Sequence, residues 1–224
     1  MQESKIKLSL MNKELDLETY LSISPNEFGI YLFDKKDSKN LYKQLFKFDN
    51  IKTSIDLGNL KIFLEDNIFK IEKLIGKFVQ NIFLIIDCNS TLNVSLGIKK
   101  KNYDREVNKK NLDSILIEAK DIFKERYQNQ TIMHMLVNRY IVNGKEFAKI
   151  ETDLISDYFC LEIKFISISN KLVLEINNVL QKYHIKIIRF IDQNYIINLF
   201  KDDNLEISNM INKMQNGYNE NEVV

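Results

Sequence analysis

The spacing of apolar residues changes between helical and strand periods several times across residues 106–191. It predicts a helix, a strand, a loop, a second strand, a second helix and a final strand, in that order. The first helix is expected to begin at Asn108, whose side chain can accept hydrogen bonds from the amides of the first turn. Its apolar stripe comprises Leu112, Ile115, Leu116, Ala119, Ile122 and Phe123. One face of this helix is therefore suited to a core.

The two strands of this stretch differ in pattern. The first, TIMHMLVNRYIV, is rich in β-favouring residues and ends at Asn143-Gly144, a dipeptide suited to positive φ, so a turn is expected there. The second, YFCLEIKFISIS, alternates as a half-buried strand does. Its predicted inner residues are Phe159, Leu161, Ile163 and Phe165, and its outer residues are Cys160, Glu162 and Lys164.

The second helix is expected to bury one side, and the apolar run IKIIRFI then returns to a sheet. The predicted buried residues of this helix are Leu172, Ile176, Val179, Leu180 and Tyr183. A last helix is expected near residues 204–214, with Ile207, Ile211 and Met214 on one side.

The N-terminal part of the chain predicts a meander followed by a helix and a buried strand. Residues 1–17 are compatible with a first strand or a loose arm. The runs ETYLSIS, FGIYLFD and KNLYKQLFKF follow as three short strands. Asp56 is expected to cap a long helix with the inner residues Leu60, Leu64, Ile68, Ile71, Ile75 and Phe78. The wholly apolar NIFLIID then predicts a strand covered on both faces.

Composition excludes several classes of function. A net charge of +1 over 224 residues gives no overall field that attracts nucleic acid or anionic lipid. The densest basic run, from Lys99 to Lys110, is interpreted as a solvated hairpin or helix entrance. Two cysteines without a CxxC pair, and the lack of a secretory signal, indicate a reduced cytoplasmic protein. No apolar run approaches the ~20 residues of a membrane-spanning helix.

The order EVNKKNLDSILIEAK, IMHMLVNRYIVNG, LEIKFISIS and KIIRFI resembles the small inserted subdomain, called 1C or SHS2, of the actin-like bacterial cell-division protein FtsA. The histidine-bearing strand from His134 to Gly144 is the most specific piece of this resemblance. The preceding strands and helix resemble the opening half of subdomain 1A in the same family. The chain departs from the family at Val137, where a proline is usual, and in KIETDLIS, which lacks the usual Pro-Gly pattern.

This resemblance implies an α/β (α+β) fold, truncated and degenerate relative to the family. Its expected parts are half of an actin-like, ribonuclease H-like subdomain and an inserted strand-helix-strand-strand-helix unit. The predicted domains are residues 1–92, completed by 185–215, an SHS2-like subdomain at 93–184, and a polar tail at 216–224.

The resemblance also indicates where a nucleotide would bind, and the residues there are unsuitable. The first phosphate loop would follow ETYLSIS, where Ser22 replaces an acidic residue, Pro25 lacks an amide donor and Glu27 would repel a phosphate. The chain has six glycines, none close enough together to form a phosphate cradle. The second phosphate loop and the adenosine site would lie beyond residue 224. We therefore expect no ATP, no cofactor, no metal and no catalytic residue.

Other catalytic groups are sparse. His134 and His184 are expected to be structural, and the apolar surroundings of Cys88 and Cys160 favour unreactive thiols. Asp87 follows a buried strand, where a turn-forming role is favoured over a functional one. A small enzyme that uses Asp87, Cys160 or His134 remains the alternative from the enzyme class.

The leading hypothesis is a non-catalytic FtsA-like scaffold that acts in bacterial cell division through contacts of its 1C-like subdomain. The resemblance implies division or envelope proteins as partners, self-association through this subdomain, and a cytoplasmic protein recruited to the division site. No nucleic acid and no direct membrane insertion are expected. The matching partner-binding surface comprises Glu106, Asn108, Lys109, Lys110, Asn111 and Asp113. The alternative is a pseudo-actin adaptor of another envelope machine, such as pilus assembly.

Overall fold

A computed structural model describes residues 16–50, 52–107, 109–149 and 154–223. The chain divides into two compact units. The first contains the described residues up to Asn89 together with Leu172–Tyr218, and the second contains Ser90–Lys171 and the residues from Asn219. These units divide the chain after residues 89 and 171, whereas the sequence predicted domain limits at 92 and 184.

The first unit is built on a five-stranded sheet. Its strands are β1 (Leu17–Ile23), β2 (Glu27–Asp34), β3 (Lys39–Lys47), β4 (Asn81–Ile86) and β9 (Lys186–Asp192). The order across the sheet is β3-β2-β1-β4-β9, in which β2 runs antiparallel to β1 and β3. The strands β1, β4 and β9 are parallel, so their carboxyl ends meet at one edge. The predicted meander and buried strand are therefore confirmed.

One face of this sheet is covered by helix α1 (Leu57–Ile75). Asp56 caps it as predicted, because its Oδ1 accepts from the Asn59 amide at 3.0 Å. The ring of Phe63 packs against Phe28 of β2, with centroids 6.0 Å apart. The prediction that Phe78 belongs to the inner face is wrong. The helix ends at Gly76, whose φ of 71° starts a left-handed turn, and Phe78 beyond it is 79% exposed.

The opposite face of the sheet is covered by α4 (Gln193–Leu199) and α5 (Ile207–Gln215). Their apolar residues join a core of inward residues from the strands, since alternate residues of a strand face opposite sides. That core comprises Tyr20, Tyr31, Phe33, Ile85, Ile191, Ile196, Phe200, Ile211 and Met214. The predicted C-terminal helix is confirmed as α5, whereas α4 was not predicted.

The second unit contains an antiparallel four-stranded sheet in the order β5-β8-β6-β7. The strands are β5 (Leu92–Glu106), β6 (Gln130–Val142), β7 (Lys145–Phe147) and β8 (Ile155–Ser169). Helix α2 (Lys109–Arg126) packs on it through a buried core that includes Ile115, Ala119, Phe123, Phe159, Leu161, Ile163 and Phe165. The predicted alternation of the second strand and the apolar stripe of the helix are thus confirmed. The predicted cap, Asn108, lies outside the described residues.

Two local features of this unit bear on the sequence predictions. Asn143 and Gly144 have φ of 48° and 81°, which confirms the expected turn after β6. The basic run from Lys99 to Glu106 is mostly exposed, as the interpretation of a solvated segment expected, but it belongs to the strand β5 and does not form a hairpin of its own. This strand lies at the sheet edge, where lysines are common because one side of the strand remains in water.

After β8 the chain continues through α3 (Asn170–Leu180) and a short 3₁₀ turn (Gln181–Tyr183) into β9. Ile176, Val179 and Leu180 are buried, as the pattern predicted. Together the two sheets and their helices confirm the expected α/β fold class. The segment between β4 and β9 has the order β5-α2-β6-β7-β8-α3, which is one strand more than the expected strand-helix-strand-strand-helix unit.

Candidate functional site

The carboxyl ends of β1, β4 and β9 form the edge where α/β sheets commonly bind ligands. The polar side chains at this edge pair with one another. Ser22 Oγ donates to Gln193 Oε1 at 3.1 Å, and Asn194 Nδ2 donates to Asp87 Oδ1 at 3.0 Å. Asp192 caps α4 by accepting from the Tyr195 amide at 2.7 Å. The side chains that would meet a ligand are therefore engaged in fixing α4 to the sheet.

The turn between β1 and β2 occupies the position expected for a phosphate loop. The hydroxyl of Ser24 accepts from the amides of Asn26 at 3.2 Å and Glu27 at 2.9 Å, and donates to the Glu27 carbonyl at 3.1 Å. The Ser24 amide donates to the same carbonyl at 2.9 Å. A phosphate needs such amides as donors. In this turn they already have an acceptor within the chain.

Gly29, the glycine that follows this turn, has a packing role. A Cβ added there would lie 2.9 Å from both Leu45 Cδ2 and the Tyr31 hydroxyl. The glycine therefore allows β2 and β3 to pack closely, and its presence does not indicate a phosphate site.

Cys160 and His134, two residues of the alternative enzyme hypothesis, do not form one site in the second unit. Cys160 pairs with Ile141 across the sheet, and His134 lies seven residues earlier on β6. At about 3.3 Å per residue, the two side chains are roughly 20 Å apart. Burial, together with the charge of Glu162, raises the pKa of the Cys160 thiol. No group of three His, Cys, Asp or Glu suited to a metal occurs among the described residues.

His134 itself is fully buried, and its Nδ1 lies 2.7 Å from Glu222 Oε1. The sequence predicted a structural role for this histidine but gave no sign of its partner, which is 88 residues further along the chain. His184 follows the 3₁₀ turn in a left-handed conformation with φ of 56°.

The predicted partner-binding residues lie around the end of β5 and the start of α2. Glu106, Lys110 and Asp113 are exposed. Asn111 is tied into the fold, since its Nδ2 donates to Asn102 Oδ1 at 3.0 Å. Asn108 and the Lys109 side chain lie outside the described residues. The function of this surface stays a prediction.

Asn102 explains why Asn111 is held. It is 4% exposed at an irregularity in β5, and its Nδ2 donates to the Arg105 carbonyl at 2.6 Å and to Ser156 Oγ at 3.2 Å. Asn111 supplies a donor for its remaining oxygen. The resulting network fixes the start of α2 to β5 and β8.

The first unit also carries an open cavity of about 530 Å³. Its walls come from the start of β1, the turn after α1 and the neighbouring strands, and they include Glu18, Lys77, Phe78 and Ile188. Phe78 and Ile188 are 79% and 55% exposed. The lining of the cavity is therefore mixed, with exposed apolar side chains beside polar and charged ones.

Within the described ranges, no helix is long and apolar enough to cross a membrane. No protein-family model matches the sequence. No curated protein matches it either.

Among solved structures, the chain is similar to one in the PilM-PilN type IV pilus biogenesis complex. The TM-score is 0.50 at 6% identity, and the match covers 83% of this chain and 50% of that one. A protein of unknown function with an actin-like ATPase fold from Bacteroides thetaiotaomicron gives a TM-score of 0.38 at 12% identity, over 92% of this chain and 60% of the other. The cytoplasmic domain of EpsL, an inner membrane component of the type II secretion system of Vibrio cholerae, gives 0.34 at 8% identity, over 78% and 56%.

At these identities the comparisons concern the fold. The likeness to the chain in the pilus complex indicates a shared fold over 83% of this chain. The chain spans 50%, 60% and 56% of the lengths of the three structures. The finer resemblance to FtsA stays a prediction.

Proposed function

We propose that this chain is a non-catalytic actin-like adaptor that acts through protein–protein contacts and binds no nucleotide. The observation that carries this proposal is the closure of the β1–β2 turn by Ser24. Its hydroxyl accepts from the amides of Asn26 and Glu27, which a phosphate would otherwise require. Glu27 of the same turn places a carboxylate beside these amides, and its partner is Lys47 at 3.2 Å.

Displacement of Ser24 by a phosphate would require several changes at once. The turn would have to break the Ser24 contacts and move Glu27 away from the approaching anion. The polar groups at the neighbouring strand ends are also paired, Ser22 with Gln193 and Asp87 with Asn194. The free energy needed for these changes would weaken the binding of a phosphate at this turn.

We propose an envelope assembly machine of the pilus type as the setting. The likeness to PilM, in its complex with PilN, supports this choice over other uses of an actin-like fold. A protein comparable in role to PilN is then the expected partner of this chain. The predicted surface at Glu106, Lys110 and Asp113 is one candidate for that contact, because its described side chains are exposed.

Two experiments test the proposal. Calorimetric titration of the chain with Mg-ATP should give no binding heat, and a Kd below about 1 mM would contradict the absence of a nucleotide site. For the adaptor role, a photo-crosslinking residue is placed at Lys110 or Phe78 in cells of the source organism. A discrete crosslinked envelope protein is expected, whereas a chain that crosslinks to no protein at any exposed position would rule out the adaptor role.

The second candidate function is an FtsA-like division scaffold. The sequence resemblance of residues 106–191 supports it, together with the long strands β6 and β8 between two helices in this stretch. A fluorescent fusion imaged beside labelled FtsZ distinguishes the two settings. A band at the constriction would support the division role, and a diffuse or polar signal would leave the pilus-type adaptor.

A further inference from the structure

The segment 219–223 pairs with β6 as a short added strand. Leu136 forms an antiparallel bridge with Glu222. On either side of the bridge, the Val137 amide donates to the Asn221 carbonyl at 2.8 Å and the Val223 amide donates to the Met135 carbonyl at 2.9 Å. We name residues 219–223 the tail. We name the side of residues 134–137 that faces the tail the β6 edge.

The short strand β7 does not extend along the β6 edge. β8 pairs along the other side of β6, and β7 pairs with Tyr140, Ile141 and Val142. Before Tyr140, the Val137 amide and the Met135 carbonyl on the β7 side are therefore left for a further strand, and the tail pairs with both of them. Such an edge is a template for any extended segment.

The β6 edge also selects a side chain. His134 is fully buried, and the Glu222 side chain that it contacts at 2.7 Å is 7% exposed. A buried imidazole beside the edge gives a carboxylate at this register a hydrogen-bonding partner shielded from water. An extended segment with a glutamate at this position would be favoured over one with an apolar or basic residue.

The tail is held by polar contacts and buries little apolar surface. These contacts include the two backbone bonds, the Glu222 contact and the pairing of Lys149 Nζ with Glu220 Oε2 at 2.5 Å, in which both side chains are more than half exposed. The Val223 side chain is 38% exposed. Segments with few buried apolar contacts open locally at low free energy, so the tail is suited to exchange.

We propose that the β6 edge is a strand-addition site for an extended segment of a protein partner, with a glutamate facing His134, and that the tail occupies this site in cis until the partner displaces it. This inference rests on the proposed adaptor function and specifies one contact for it. The partner segment has the chemistry of the tail itself, a glutamate followed by a small β-branched residue. Main-chain bonds supply the affinity and the histidine supplies the selection.

Binding of a labelled synthetic tail peptide, YNENEVV, tests this proposal by fluorescence anisotropy. A chain that ends at Tyr218 should bind the peptide at least about tenfold more tightly than the full chain, because the cis tail competes at a high effective concentration. A peptide with Glu222→Lys should bind the shortened chain at least about tenfold more weakly than the unmodified peptide does. The affinity of a peptide with Glu220→Lys should stay within about fivefold of the unmodified peptide. Equal binding by the two chains, or equal effects of the two peptide substitutions, overturns the proposal.

Hydrogen exchange on the full chain provides a second readout that does not depend on the shortened form. Glu222→Lys should raise the exchange rate of the Val137 amide at least about tenfold, whereas Glu220→Lys should leave it within about threefold. Unchanged protection of Val137 in Glu222→Lys overturns the cis contact. A full-chain dimer that is lost on removal of the tail would assign the edge to a second copy and also overturn the proposal.

The outcomes remain separate from those of the adaptor proposal. Failure of peptide binding, with crosslinking in cells still positive at Lys110 or Phe78, rejects the β6 edge alone. Peptide binding without any crosslinked protein rejects the adaptor role.

Discussion

The hydroxyl of Tyr42 on β3 donates to Asn67 Oδ1 in α1 at 2.5 Å, and joins the outer antiparallel part of the five-stranded sheet to the helix that covers it. Asn67 is 2% exposed, and its Nδ2 donates to the Phe63 carbonyl at 2.6 Å. Both ends of this buried amide therefore have partners. Burial raises the pKa of the Tyr42 hydroxyl, which remains a donor at neutral pH.

Tyr42→Phe should lower the free energy of unfolding by about 1–3 kcal/mol, because it leaves Asn67 Oδ1 buried without its donor. The double variant Tyr42→Phe with Asn67→Leu should recover part of that loss, since no unsatisfied oxygen then remains. Urea denaturation followed by circular dichroism measures both effects. If the two single losses simply add in the double variant, the two side chains are not coupled as the structure indicates.

Gly144→Ala should destabilise the chain by about 1–2 kcal/mol, because Gly144 has a φ of +81° that alanine rarely adopts. Gly97→Ala is the matched control. A Cβ at Gly97 would lie 3.9 Å from Cys160 Sγ, which is ordinary contact, and its backbone lies outside the left-handed region. Thermal unfolding of the two variants compares them directly, and an equal loss from both would show that the turn conformation is not the cause.

Asp56→Asn should make the stability of the protein less dependent on pH in the acid range. The hydrogen bond from Lys52, and then the one from the Asn59 amide, hold the pKa of Asp56 well below its usual 3.8. A lowered pKa in the folded state contributes stability above the unfolded pKa, and this contribution is lost as the pH falls through the folded value. The wild-type chain should therefore lose stability below about pH 4 more steeply than the variant.

Melting curves between pH 7 and pH 2 measure this difference. Asparagine retains the capping acceptor, so the helix start is preserved while the charge is removed. Asp121→Asn, at an exposed position of α2, serves as the control. Parallel pH profiles of Asp56→Asn and the wild-type chain would contradict the assignment.

Asn111→Ala should destabilise the second unit by about 1–2 kcal/mol, whereas Asp113→Ala should change stability by less than about 0.5 kcal/mol. Asn111 donates to the buried Asn102, while Asp113 is exposed. The residues of the predicted partner surface therefore differ in role. Denaturation of each variant, followed by crosslinking at Lys110, separates a loss of folding from a loss of partner contact.

Much of the fold could be predicted from the sequence, because long segments with one buried face carry a clear period. β8 alternates between buried and less buried residues, β6 is rich in β-favouring residues, and α1 and α2 repeat apolar residues at helical spacing. The turn at Asn143 and Gly144 was predictable because few other dipeptides accept positive φ at both positions. The spacing of apolar residues and the turn residues within each segment are sufficient to predict these elements.

The remaining elements depend on tertiary contacts. β5 carries Lys99, Lys100 and Lys101 because it lies at an edge, so its polar sequence is typical of a loop. Helix α4 has seven residues and is too short for a period to show. The contact between His134 and Glu222 spans 88 residues of chain, and no local pattern indicates it. The candidate binding site at the β6 edge could therefore not be predicted from the sequence.

The parallel pairing of β4 with β9 has a consequence for synthesis on the ribosome. β4 ends at Ile86 and β9 begins at Lys186, so about 100 residues must be translated before β4 gains its second neighbour. At 5–20 residues per second, the delay is about 5–20 s. During this interval the nascent chain exposes one side of an apolar strand, while all four strands of the second unit are complete once Ser169 emerges. The four-stranded sheet of the second unit is therefore able to form before the five-stranded sheet is complete.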